Sequence, residues 1–90
     1  MDQIQELNSQ FKKPVVALYT ILQERKLTSR EIEIVEKVVM GLSNKEIADQ
    51  LFVCDGTIKQ HMTAIYTKIG LKSRAQLIVW AIPYLVANNN

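Results

Sequence analysis

The sequence predicts an all-α fold, and three observations predict it. First, three capping boxes occur within 90 residues: Thr28 to Glu31, Ser43 to Glu46 and Ser73 to Gln76 each place a hydroxyl three positions before Glu or Gln. In each box the two side chains can satisfy orphan N–H groups of a first helical turn. Second, each box opens a stretch whose apolar residues recur at helical spacing. Third, no stretch alternates polar and apolar residues as a half-buried strand would, and only three Gly and two Pro punctuate the chain. The length is that of one domain.

The elements follow in order. Upstream of the first box, Ile4, Leu7, Phe11, Leu18 and Ile21 keep a seven-residue register, with Pro14 where the next member belongs. Proline suits the first turn of a helix and disrupts its interior. The register therefore divides into a helix of about 2–12 and a second of about 14–25. The first box opens a helix of about 29–40 that sets Ile32, Val35 and Val39 on one face, with Ile34 and Val38 beside it, and Gly41 ends it. The second opens a short helix, 44–51, with Ile47, Ala48 and Leu51 inward. Phe52, Val53 and Cys54 make a tight connection to a helix of about 55–69, in which Ile58, Met62, Ile65 and Ile69 form one buried stripe and Gly70 is the stop. The third box opens a last helix of about 74–82, which Pro83 stops or kinks. The chain thus divides into an N-terminal helical extension or linker (1–26), a principal domain (27–83) and a flexible tail (84–90).

Charge is unevenly placed. Residues 1–55 hold seven Lys or Arg against nine Asp or Glu, whereas residues 56–90 hold Lys59, Lys68, Lys72 and Arg74 and no acid. A basic half suits a polyanion, although a merely solvated basic face would look the same. The longest apolar runs, Val15 to Leu22 and Leu77 to Ile82, fall far short of a membrane span, so the expectation is a cytoplasmic protein. Cys54 and His61 lie seven residues apart, but no CxxC, second His or carboxylate pair joins them. No metal site, cofactor or catalytic pair is expected, and no Gly-rich phosphate loop or nucleophile motif points to an enzyme.

Two helices joined by a tight turn, 44–51 and 55–69, make a helix-turn-helix, which sets its second helix in the DNA major groove. That helix needs one apolar face to hold it to the domain and one polar face to meet base edges. The buried stripe leaves Gly56, Lys59, Gln60, Thr63, Tyr66 and Thr67 facing out, a face free of acids. Lys can reach guanine, Gln can read adenine, and Thr can donate or pack on a thymine methyl.

The ordered blocks Leu27 to Glu31, Gly41 to Ala48, Thr57 to His61 and Lys68 to Arg74 resemble the LuxR-type (NarL/FixJ-like) DNA-binding domain of bacterial transcription regulators, over about residues 27–82. The resemblance implies a four-helix domain whose third helix reads double-stranded DNA and whose fourth forms a homodimer. Carried over by position, the base readers are Lys59, Gln60 and Thr63, and the backbone contacts are Ser43, Asn44 and Lys45 at the positive end of a helix. Thr57 is a further phosphate candidate and His61 lies near the backbone, while Lys68, Lys72 and Arg74 form an outer electrostatic shell. Glu31 takes a structural role, in its capping box and in an ion pair inside the domain. The chain departs from the family at Cys54, where Ser is usual, so Asp55 is expected to cap and shift the helix start by one residue. It also departs at Gln60, Thr63 and Ala64, which concern operator sequence, and at Pro83, which shortens the last helix.

That last helix is apolar nearly all round, so one face should meet another chain. Val79, Trp80 and Ile82 are assigned to the dimer interface, and Leu77, Ile78 and Ala81 to the core. Coverage by the N-terminal helices within one monomer is the alternative. A second reading of the whole is a module of the same fold that binds RNA polymerase or another regulator without reading DNA, as region 4 of sigma factors is similar in architecture. Residues 1–26 are too few for a receiver or autoinducer-binding domain, so the chain reads as a free-standing regulator or an excised output domain.

Overall fold

The computed structural model describes residues 17–86, which form an all-α arrangement of five helices. These are α1 (17–24), α2 (Ser29–Val39), α3 (Asn44–Leu51), α4 (Asp55–Ile69) and α5 (Arg74–Val86). The expected helix over 2–12, the start of α1 and residues 87–90 lie outside the described residues.

The capping boxes start the helices where they should. The Thr28 hydroxyl accepts the Glu31 N–H at 3.1 Å while the Glu31 carboxylate accepts the Thr28 N–H at 2.8 Å. Ser43 and Glu46 repeat this at 3.1 and 2.8 Å. The third box is only half made. Ser73 accepts from the Gln76 N–H at 3.1 Å, but the Gln76 side chain reaches one residue further back, to the Lys72 N–H at 2.7 Å.

Helix ends are closed by left-handed residues. Gly41, at φ +96, lets its own N–H reach the Val38 carbonyl and the Leu42 N–H reach that of Lys37. Gly70 ends α4 in the same region of φ.

One core lies between the helices. Leu18 and Leu22 of α1 enter it beside Ile32, Ile34, Val35 and Val38 of α2 and Ile47 and Ala48 of α3. All four stripe residues of α4, Ile58, Met62, Ile65 and Ile69, are buried there, with Leu77 and Ala81 of α5. Val39 and Leu51, expected inward, are half-buried against it. Polar ties brace the packing at its edges: Lys37 donates to Gln50 at 2.7 Å between α2 and α3, and Arg25 donates to the Ile69 carbonyl at 3.2 Å at the end of α4.

The C-terminal helix corrects two expectations. It does not end at Pro83, and the tail does not begin at 84, because Tyr84, Leu85 and Val86 continue the helix. Proline withdraws the donor for the Val79 carbonyl, but Val79 is 65% exposed, on the side where water can serve that oxygen. Trp80 and Tyr84 also meet across the proline, their rings tilted at 46° with centroids 5.1 Å apart, and both pack on the core. Ile78, assigned to the core, is instead exposed.

Candidate nucleic-acid interface

The helix-turn-helix is built on an unusual turn. Phe52 closes α3 in the left-handed conformation (φ 59, ψ 44), and the Val53 N–H bonds back to the Ala48 carbonyl at 3.0 Å. A non-glycine residue there costs about 1–2 kcal/mol. Its phenyl recovers nothing by burial, being 93% exposed. Cys54 then occupies the N-cap of α4 in extended conformation, with no side-chain cap bond, and Asp55 is the first helical residue. Asp55 does not take over the cap, so the expected shift of the helix start by one residue does not occur. The Cys54 backbone alone starts the helix, its carbonyl accepting the Thr57 and Ile58 N–H groups.

With the stripe buried, Lys59, Gln60 and Thr63 point into solvent together with Gly56 and Thr67. Two details alter the sequence reading of this face. Tyr66 is half-buried against the core rather than outward, and burial pushes its hydroxyl above the ordinary tyrosine range, against the opposing pull of Arg74. Asp55 is exposed one turn before Lys59, so the face is acid-free only from Gly56 onward. The Thr63 hydroxyl donates to the Lys59 carbonyl at 3.1 Å and that of Thr67 to Thr63 at 3.0 Å. Thr63 therefore presents its methyl and acceptor lone pairs, its proton being engaged within the helix. Thr57 and His61 are half-buried.

The first turn of α3 lies at the other edge of this region. The capping box uses the Ser43 hydroxyl and N–H, leaving the Asn44 and Lys45 N–H groups as the donors of that turn without a capping partner. The Ser43 N–H, then its hydroxyl, holds the Glu46 carboxyl below the usual range. The Lys45 side chain is exposed and Asn44 half-buried.

The cations of the basic half divide into two kinds. Lys59 and Lys72 are exposed. Lys68 is committed inside the domain, its ammonium 2.6 Å from Glu31, which is buried. Burial would raise the Glu31 carboxyl, but Lys68 and the Thr28 N–H and hydroxyl outweigh it and hold it below its ordinary value. Arg74 is also committed: it donates to the Asn44 side-chain oxygen at 2.7 Å and to the Leu42 carbonyl. Composition showed four cations, and only the three-dimensional structure shows that two of them have partners inside the domain.

On α5, Val79 and Ile82 are exposed, with Ile78 beside them. Trp80 is half-buried and joins Val79, Leu71, Ala75 and Gln76 around a shallow apolar groove of about 370 Å³. Among the described residues no group of three or more Cys, His, Asp or Glu could hold a metal, and no helix is long and apolar enough to cross a membrane.

Comparison with known proteins identifies the family. Residues 25–81 match the family described as bacterial regulatory proteins, luxR family. The chain is similar to the transcriptional regulatory protein LnrK of Bacillus subtilis, 39% identical over 61 residues covering 68% of this chain and 28% of that protein. It is 41% identical over 63 residues to the CsgBAC operon transcriptional regulatory protein of Escherichia coli, covering 70% and 29%. It is 46% identical over 56 residues to the oxygen regulatory protein NreC of Staphylococcus aureus, covering 62% and 26%. The chain thus spans under a third of the length of these relatives. No solved structure matches it.

Proposed function

The chain belongs to the luxR family of bacterial regulatory proteins, a helix-turn-helix family of DNA-binding transcription regulators rather than enzymes, and from that premise we propose how this member works. It binds double-stranded DNA sequence-specifically, with α4 in the major groove, and regulates transcription in the bacterial cytoplasm. Lys59, Gln60 and Thr63 meet base edges. The first turn of α3 at Ser43, Asn44 and Lys45 seats one phosphate, where peptide N–H groups and the helix dipole favour an anion. Thr57, His61 and Lys72 flank the backbone. Two copies pair through Val79, Ile82 and the exposed edge of Trp80, which sets two α4 helices on the half-sites of a two-fold operator.

One observation carries this reading: α4 buries its apolar stripe completely and turns outward a face that is polar and basic from Gly56 onward. The similarity to LnrK and the CsgBAC operon regulator, both transcriptional regulatory proteins, supports the role in transcription.

Selection from a random duplex pool, with a salt titration on the enriched site, tests the proposal. A two-fold symmetric winner is expected, bound by a dimer in sedimentation. The competing reading, a module that binds RNA polymerase or another regulator, draws on the internal commitment of Lys68 and Arg74, which leaves fewer free cations. That reading predicts no enriched sequence and activity that survives loss of Lys45, Lys59 and Lys72.

A further inference from the structure

The two bonds of Arg74 define a small constructed unit. Its guanidinium, at the first residue of α5, spans to the Leu42 carbonyl and to the Asn44 side-chain oxygen at 2.7 Å. Leu42 is held on its other side as well, its N–H bonded to the Lys37 carbonyl at 3.1 Å. The link from α2 to α3 is thus fixed at both polar ends of one residue. Asn44 is the first residue of α3, directly after the capping serine.

A guanidinium has donors only, so the atom of the Asn44 amide that faces it must be the oxygen. That fixes which way the amide is turned. The oxygen is occupied, and the two N–H donors of the nitrogen are directed away from Arg74. A cation on the oxygen also polarises the amide and strengthens those donors. Without Arg74 the amide could turn over and show its oxygen to an approaching anion, which would repel it.

We propose that Arg74 is a positioning residue for DNA binding: it does not meet a phosphate itself but holds the Asn44 amide with its oxygen inward and its two N–H donors presented to a phosphate of the DNA backbone. This rests on the reading of the α3 first turn as a phosphate seat. It replaces the outer-shell role expected of Arg74 from sequence. It also gives α5 a direct hold on that seat, since the residue that opens α5 orients the side chain that opens α3.

The test compares the full chain with Arg74→Lys, Asn44→Ala and the double variant, measuring duplex affinity over a salt series and thermal unfolding of each. Lysine keeps the charge but not the planar fork. Each single variant is expected to lose about 3–10-fold in affinity, the worth of one hydrogen bond. The double variant is expected to lose no more than either single. The salt slope should be unchanged throughout, because a neutral amide releases no counterion. Wild-type affinity in Arg74→Lys would overturn the proposal, since a direct phosphate contact needs only the charge. Losses that multiply in the double variant would overturn it too, showing that Arg74 acts apart from Asn44. Should Arg74→Lys unfold, Asn44→Asp decides: it keeps the oxygen for Arg74 and removes the donors, so undiminished affinity would sink the idea. If the unaltered chain binds no duplex, the phosphate-seat reading fails and takes this one with it. The other outcomes leave that reading standing.

Discussion

Helices α4 and α5 are both rich in large apolar residues, yet they leave opposite surfaces behind. In α4 the apolar residues are in phase, and Ile58, Met62, Ile65 and Ile69 all enter the core. What remains outward is Lys59, Gln60, Thr63 and Thr67. Among the described side chains of α5 only Leu77 and Ala81 are fully buried, and Ile78, Val79 and Ile82 are exposed. The core can use only one stripe of any helix, so a helix with more apolar residues than one stripe holds must show the surplus. Surplus polar donors suit a nucleic acid, and surplus apolar surface suits another protein. The proposed division of labour follows from what each helix has left after folding.

Several substitutions would break or sharpen this contrast. The largest effect is expected from Ile65→Ala, which opens a cavity under α4 and should cost about 2–5 kcal/mol in denaturant unfolding. Val79→Ala in α5 should change monomer stability by less than about 0.5 kcal/mol. Equal losses would mean that the two helices are not buried as described. Next, Lys59→Ala and Gln60→Ala should each lose about 1–3 kcal/mol on the preferred site and relax its sequence preference, with unfolding unaltered. A selected sequence unchanged by Gln60→Ala would move the reading face elsewhere. Val79→Glu should leave the monomer folded and abolish self-association in sedimentation; a dimer that persists would free the α5 surplus for some other partner.

A smaller effect concerns the turn that launches α4. Phe52→Gly should raise stability by about 1 kcal/mol, because glycine adopts the left-handed conformation without a Cβ penalty and no buried contact is lost. A fall in the melting temperature would show that the phenyl contributes to the fold. The smallest is a pH dependence carried by the ion pair that ties Lys68 of α4 to Glu31 of α2. Glu31 titrates below its ordinary value when folded, so it contributes stability that is present at neutral pH. That stability is lost as pH falls through the ordinary glutamate range and on past the lowered folded value. Glu31→Gln should flatten that acid limb. Helix α5 has no acid or histidine and should add no slope of its own.

The capping boxes made three helix starts legible, because a cap is a local device whose two partners lie within one turn. The α4 stripe was legible for a related reason: its apolar residues have a single phase. In α5 the phase is lost among too many apolar residues, so Ile78 and Trp80 could not be told apart by spacing, and one faces solvent while the other is half-buried. The continuation through Pro83 is accompanied by a tilted ring contact and core packing, which the local rule for proline does not contain. Lys68 and Arg74 resisted sequence reading because their partners, Glu31 and Asn44, lie 37 and 30 residues away. The Glu31 capping bond was visible locally, and its ion pair was expected without a partner. The outward exposure of Lys59, Gln60 and Thr63 was legible from the phase of the stripe, whereas the half-buried Tyr66 and the exposed Asp55 were not expected.

Helix α1 bears on how this molecule can be cut. The stretch that marks its family begins at residue 25, but Leu18 and Leu22 lie before that point, and both are fully buried. Burying a leucine contributes about 1.5–3 kcal/mol, and a small domain has only about 5–15 kcal/mol in all. A fragment trimmed to the recognisable stretch would leave an open apolar trough over α2 and forfeit a large part of its stability. The unit of ancestry and the unit of folding therefore have different borders here, and a protease or an engineer working at the first would find the second.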